Sequence, residues 1–281
     1  MSEKSLPYLQ TIQDRLNWDV LQSRVLSSEL LNEVVRFHQK TTNIPSTLLQ
    51  NVTMWPELLY WIEAVQHTDT LPTLPLERIE LEVTIKEFEA SVKNFDMRWN
   101  VGKGVIGTIL YGAFGRGRAL HKRYPSAGAL YPIIPILCVF SKTAVKDVEP
   151  GSFALDPRQP ALLRLNAWSE GNLLDLQPLV SMAGGDLPSN LAVGYAIDMR
   201  RAVTKYRHKG YRHALIEIGL MAQSFRETLR EVSVQLEIPL GERCWSGFAD
   251  NALTSMCGLD VRLAPIGLLQ WFGKRSDETA G

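Results

Sequence analysis

The sequence predicts a mixed fold of helices and strands, α+β or α/β, in one large domain or one domain plus an extension. Three observations point there. Residues 211–236 carry one long apolar stripe at helical spacing. Short apolar runs such as "YPIIPILCVF", residues 131–140, read as buried strands. The chain has 281 residues, 45% hydrophobic and 21% charged, which suits a sizeable core in a globular protein.

From the N-terminus, residues 14–38 read as helix, because Leu16, Leu21, Val25, Leu30, Leu31, Val34 and Val35 recur at roughly helical spacing. A second apolar patch, "WPELLYWIEAV", covers 55–65. "HTDTLPTLPLE", 67–77, is polar, carries two prolines and reads as a linker. A boundary near 78 therefore divides a small helical extension, 1–77, from a main domain, 78–281. "GVIGTILYGAFG", 104–115, reads as helix with a glycine stop. The prolines of "YPIIPILCVF" sit at the strand start, where a missing N–H costs least. "FALD", "LLRLNAW", "LAVGYAID" and "LAPIGLLQWFG" are further strand candidates. The helix after Gly210 places Tyr211, Ala214, Leu215, Ile218, Ala222, Phe225, Leu229, Val232 and Leu236 on one face. Glu227 and Arg230 are spaced for a helical ion pair, and Pro239 with Gly241 ends the helix.

Charge excludes some functions. Thirty basic and 30 acidic residues cancel, so nothing favours nucleic acid or an anionic membrane. No apolar run approaches a membrane span, and the N-terminus has no apolar signal core. The sequon at Asn51 is therefore read as without meaning. Cys138, Cys244 and Cys257 match no zinc or redox spacing and read as reduced core thiols of a cytoplasmic protein.

"GKGVIG", 102–107, fits a dinucleotide-binding glycine pattern, but no buried strand precedes it and no acidic residue stands some twenty positions on. A glycine turn before a helix fits better. "RYPSAGALYP", 123–132, places Pro125, Ser126, Ala127 and Gly128 in a small loop before a strand. Such a loop can lie against a flat ligand and offer it N–H groups; a plain tight turn uses the same residues. "KYRHKGYRHALIEIG", 205–219, runs cations and tyrosines straight into the long helix, a density that a solvated charge run would not need.

"RYPSAGALYP", "KYRHKGYRHALIEIG" and "GFADNALTSMCGLD" succeed one another in the order of three blocks found in SagB-type dehydrogenases, and the chain resembles that family over about residues 80–273. These are azoline-oxidising, nitroreductase-like flavoproteins, and "KYR-x-x-GYR" is especially similar to dehydrogenase subunits of microcin B-type thiazole/oxazole synthetases. The resemblance implies an α+β, nitroreductase-like FMN-binding fold: a mostly antiparallel sheet flanked by helices, dimeric, with the flavin at the homodimer interface. It implies that Pro125, Ser126, Ala127 and Gly128 lie against the flavin ring, and that Lys205 and Tyr206 are the catalytic pair. Ser91 and Lys93 of "ASVKNF", with Ala90 and Lys93 where the family has arginines, and Lys274 beside Arg275 are the phosphate candidates. Arg212 and Glu217 match family positions, where either an internal ion pair or flavin contact would suit. No Ser-His-Asp triad and no metal-ligand spacing is found.

The implied reaction explains the pair. Aromatising an azoline removes one proton and one hydride; the flavin takes the hydride and a base takes the proton from carbon. A lysine is a base only where burial or neighbouring cations favour its neutral form. Arg207, Lys209 and Arg212 would supply that repulsion, and Tyr206 would orient the ring. The implied partners are a ribosomally made precursor peptide and separate cyclodehydratase subunits. Trp18, Trp55 and Trp61 of the extension suit either docking of those subunits or internal packing. A nicotinamide-dependent nitro or enone reductase, and a flavin-less scaffold, are the alternative functions.

Overall fold

A computed structural model describes residues 6–42, 56–65, 77, 79–81, 91–117, 121–181 and 186–276. The chain forms two compact units, residues 1–43 with 91–281, and residues 44–90, which contain the expected boundary near 78. The second unit contains α3, Pro56–Val65. The linker expected at 67–77 lies, Glu77 apart, outside the described residues, as do Trp55 and Asn51.

The first unit is built on a six-stranded antiparallel sheet. Its strands are β1 Ile133–Val139, β2 Gly151–Asp156, β3 Ala161–Ala167, β4 Leu191–Ile197, β5 Leu240–Trp245 and β6 Ile266–Lys274. They lie in the order β3-β2-β1-β4-β6-β5, each pair antiparallel. The helices are α1 Leu6–Val25, α2 Ser28–Gln39, α4 Lys103–Phe114, α5 Glu170–Val180, α6 Met199–Tyr206, α7 His208–Leu236 and α8 Asp250–Met256.

Side-chain alternation along the strands makes a three-layer body. Ile133, Leu137 and Val139 of β1, with Val193, Tyr195 and Ile197 of β4, join α2, α4, α6 and α7 in one core. Ile136 and Cys138, with Ala192, Ala196 and Trp271, join α5 and α8 in the other. The helices α4 and α7 meet closely: the rings of Phe114 and Phe225 stack at 5.6 Å, and Gly112 leaves room for Thr228. One chain of polar groups buried between α7 and the sheet is paired link by link. Tyr195 donates to Gln270, Gln270 donates to Glu242 at 2.7 Å, and Arg226 bonds Glu242 through Nε and Nη2 at 2.6 and 2.5 Å.

The expected elements form at 103–114, 133–139 and 208–236 and at all four further strand candidates. Four findings differ from expectation. The helix read at 14–38 is two helices, because Ser27 caps α2 by accepting from the Leu30 N–H at 3.4 Å. Pro239 and Gly241 do not only end α7: Glu237 closes it at φ 54°, and Gly241 lies inside β5. Leu215, read as part of the apolar stripe of α7, is exposed. All three cysteines are free, but Cys244 is exposed and is no core thiol.

The corner between α6 and α7 is a close approach of backbone to backbone. Gly210 packs on the Ala202 carbonyl, and an added Cβ would run into that oxygen. Gly210→Ala is expected to cost about 1–3 kcal/mol by overpacking, read as a lowered midpoint in urea unfolding.

Candidate active site

The loop Pro125–Tyr131 is a strained turn. Gly128, Ala129 and Tyr131 have φ of 60°, 54° and 48°. Glycine takes that conformation freely, but Ala129 and Tyr131 do so at a cost of about 1–2 kcal/mol each. Hydrogen bonds hold them there. Ser126 Oγ accepts from the Tyr131 N–H at 2.8 Å and donates to Glu217 Oε2 at 2.5 Å. Arg201 Nε donates to the Leu130 carbonyl, and the Asp198 N–H to that of Pro132 at 2.8 Å.

Lys205 and Tyr206 are the last two residues of α6, which Asp198 caps by accepting from the Arg201 N–H at 2.9 Å. They converge on the turn. A Cβ placed on Gly128 would stand 2.6 Å from the Tyr206 hydroxyl and 2.8 Å from Lys205 Nζ. Lys205 Nζ lies 5.1 Å from the centre of the Tyr206 ring, and His213 of α7 meets that ring edge-on at 5.2 Å. The sequence block at 123–132 and the block at 205–219 thus form one surface, with Gly128 at its centre.

Behind the turn lies a buried charged cluster. Glu217 is 2% exposed, and its Oε1 has no hydrogen-bond partner among the described residues. Burial pushes its carboxyl up to about 7, against the Ser126 hydrogen bond and the charges of Lys122 and Arg201, which pull it down. Burial, with Arg116 and Arg201 beside it, pushes the Lys122 amine down to about 8, while Glu217 opposes the change. Lys122 Nζ donates to the Tyr124 hydroxyl at 2.9 Å and lies over the Tyr124 and Tyr131 rings. Lys205 itself is exposed in the single chain.

The remaining candidates lie elsewhere. Arg212 is exposed on α7, on the turn before Glu217. Ser91, Lys93 and Lys274 gather at the opposite end of the sheet. Ile266 starts β6 beside Ala196, near α6, whereas Lys274 ends β6 beside Leu240. Eight steps of strand put about 26 Å between those ends. The segment holding Ser91 and Lys93 tracks alongside Lys274: the Val92 N–H donates to Glu242 and the Asp96 N–H to Lys274. One chain therefore does not bring Lys93 or Lys274 to the turn. Sequence reasoning missed Lys122, Arg201 and His213; only the nearness of Lys122 to "RYPSAG" and the spacing of His213 from Tyr206 signal them.

This sheet order, with helices on both faces, is a nitroreductase-like fold, shared with a protein of Ralstonia eutropha JMP134 described as a nitroreductase (TM-score 0.54, 16% identity, 71% of this chain and 89% of that one). Within that class the chain is similar to the microcin B17-processing protein McbC of Escherichia coli, with 33% identity over 172 residues. That match spans 57% of this chain and 57% of the relative. A chain of the E. coli microcin synthetase McbBCD complex with truncated pro-MccB17 bound is similar over 92% of this chain and 97% of its own length, with a TM-score of 0.75 and 25% identity. No family model matches.

The Glu217 carboxyl has a consequence for stability. Its folded-state value, about 7, lies above the ordinary 4.5, so the folded protein holds this proton more tightly than the unfolded chain. The stabilisation is full below 4.5 and is lost as pH rises through 7. Glu217→Gln should remove that slope: the Tm of the variant relative to wild type should rise between pH 4.5 and 7 in scanning calorimetry.

Proposed function

We propose that the chain is an FMN-dependent azoline oxidase, a dehydrogenase subunit of a heterocycle synthetase. It converts thiazolines or oxazolines in a ribosomally made precursor peptide to thiazoles or oxazoles. One observation carries this reading: Lys205 and Tyr206 converge on Gly128, in a chain similar to a microcin-processing protein. The similar chain in a synthetase complex that holds a pro-peptide supports the same partners here, a precursor peptide and cyclodehydratase subunits.

The residues present fit a flavin. Ser126, Ala127 and Gly128 offer small side chains and backbone N–H groups for close approach to a ring. Glu217 holds an unpartnered buried acceptor behind them. When bound, FMN supplies the hydride acceptor, to be reoxidised by oxygen. The chain's own residues handle the proton and the geometry. Lys205 Nζ takes the proton from the azoline carbon. The Tyr206 hydroxyl, steadied by the His213 edge, orients the ring.

A homodimer completes the site. If Ser91, Lys93 or Lys274 holds the phosphate of the same flavin, it comes from the partner protomer, since these residues lie at one end of β6 and the Gly128 turn lies toward the other, roughly 26 Å of strand away. Leu215, Ile216 and Leu220 of α7 are 45%, 55% and 39% exposed and give that dimer an apolar face.

The flavin content of the purified protein, and then turnover of an azoline peptide, tests the reading. Bound FMN with oxidation of the peptide is expected. NADPH oxidation without it would make the chain a reductase, and a protein that takes up no FMN would be a scaffold. Lys205→Ala should keep its flavin and lose at least about 100-fold in oxidation rate. Gly128→Val should expel the flavin, because its side chain would collide with Tyr206 and Lys205 at a φ of 60°; visible absorbance reads this directly.

A further inference from the structure

Arg207 joins α6 to α7 at φ 53° and ψ −136°. Such backbone costs on the order of 1–3 kcal/mol and persists only where its surroundings over-determine it. The strained residue comes immediately after Lys205 and Tyr206, so whatever holds it also holds the pair. Some restraint is local. The Arg207 N–H donates to the Val203 carbonyl at 2.8 Å, and the Gly210 N–H to that of Arg207 at 2.9 Å.

The rest comes from the N-terminal helices. Glu33 Oε2 of α2 lies 2.7 Å from Nε2 of His208, the first residue past the corner. Next, His38 Nδ1 and the Tyr211 hydroxyl share a buried hydrogen bond of 2.8 Å. Burial lowers the His38 imidazole below its ordinary value, which leaves this a bond between neutral groups at neutral pH. Phe37 meets the Tyr211 ring edge-on at 6.0 Å, and Thr41 and Asp250 also face its hydroxyl. From α1, the Trp18 ring lies 5.7 Å from the guanidinium of Arg201, the same Arg201 that donates to the Leu130 carbonyl of the turn. The N-terminal helices therefore grip both sides of the corner and, through Arg201, the turn opposite it.

We propose that α1 and α2 position the catalytic pair: Glu33–His208 and His38–Tyr211 pin the α6–α7 corner so that Lys205 and Tyr206 stay against Gly128. The catalytic consequence rests on the oxidase reading; the pinning itself does not. Glu33, His38 and Tyr211 are positioning residues, since none touches the reacting surface. A helix pair that merely docked would stabilise the chain without governing residues 205–207 in particular.

The test uses the full chain supplied with FMN and four variants: Glu33→Ala, His38→Phe, His38→Asn and Val35→Ala. Asn places an amide where the imidazole has Nδ1, so it can keep the Tyr211 bond. Val35, 1% exposed on the same helix, is the control for loosened docking alone. Hydrogen–deuterium exchange over residues 203–211 is the first readout. It should rise about fivefold in Glu33→Ala and in His38→Phe, the loss of one hydrogen bond each, and stay at the wild-type level in His38→Asn and Val35→Ala. The kcat of azoline oxidation should fall in the same two variants with KM and flavin content unchanged. Glu33 is half exposed, so Glu33→Ala decides the matter if His38→Phe fails to fold. Wild-type exchange in Glu33→Ala and His38→Phe, or an equal rise in Val35→Ala, overturns the inference. A wild-type protein that oxidises no azoline overturns the oxidase reading alone, and the exchange result still decides the pinning.

Discussion

Everything on α7 is placed by one close contact, the packing of Gly210 on the Ala202 carbonyl. Without a Cβ, the start of α7 lies directly on α6, and the helix then runs its full 29 residues under the sheet. Its rotation is fixed there. Tyr211 turns toward α2, His213 toward the Tyr206 ring, and Glu217 toward Ser126. At the other end of α7, Arg226 reaches the buried Glu242 of β5. That carboxylate is tied through Gln270 to Tyr195, so the far end of the helix is locked to β4, β5 and β6 by a chain of satisfied polar groups. A helix held at both ends cannot roll, and the turn at Gly128 is supported from below by a rigid element.

The antiparallel sheet distributes chemistry between its two ends. The connection from β4 to α6 and the turn before β1 share one end, which is why two sequence blocks eighty residues apart meet. The start of β5, the end of β6 and the segment from Ser91 share the other. A ligand contacting both sets must bridge two protomers, and the exposed apolar residues of α7 lie on the same helix that supports the turn. If the chain pairs through that helix as proposed, dimerisation and completion of the site would be a single event.

Sequence range decides which features are legible in the amino-acid order alone. The α7 stripe is legible because its periodicity is local, and Glu217 stands out within it as a charge between Ala214 and Ile218. The strands β1 and β4 are legible as apolar runs. The break before α2 is not, although Ser27 is a good cap, because the apolar spacing continues across it. The short α6 has its buried Met199, Ala202 and Val203 at helical spacing, but eight residues are too short a window for that period to stand out, and β5 is masked by Pro239 and Gly241, which look like terminators. The resemblance singled out Gly128, Lys205 and Tyr206, and the fold brings these three together. The cluster of Lys122, Arg201 and Glu217 depends on three elements meeting, and the separation of Lys93 and Lys274 from the turn depends on strand order. Neither is a local property, so neither has a local signal.

The exposure of Lys205 places a condition on the chemistry. Water favours the ammonium form of an amine, and an ammonium takes no proton from carbon. The single chain does not bury Lys205, and the lysine nearby that burial pushes down is the half-buried Lys122, which bonds Tyr124. On the oxidase reading, cover for Lys205 would come from what binds over Gly128: the cofactor, the substrate peptide or the second protomer. If Lys205 is the base proposed above, a free protomer would leave it solvated, and oxidation would depend on assembly of the site.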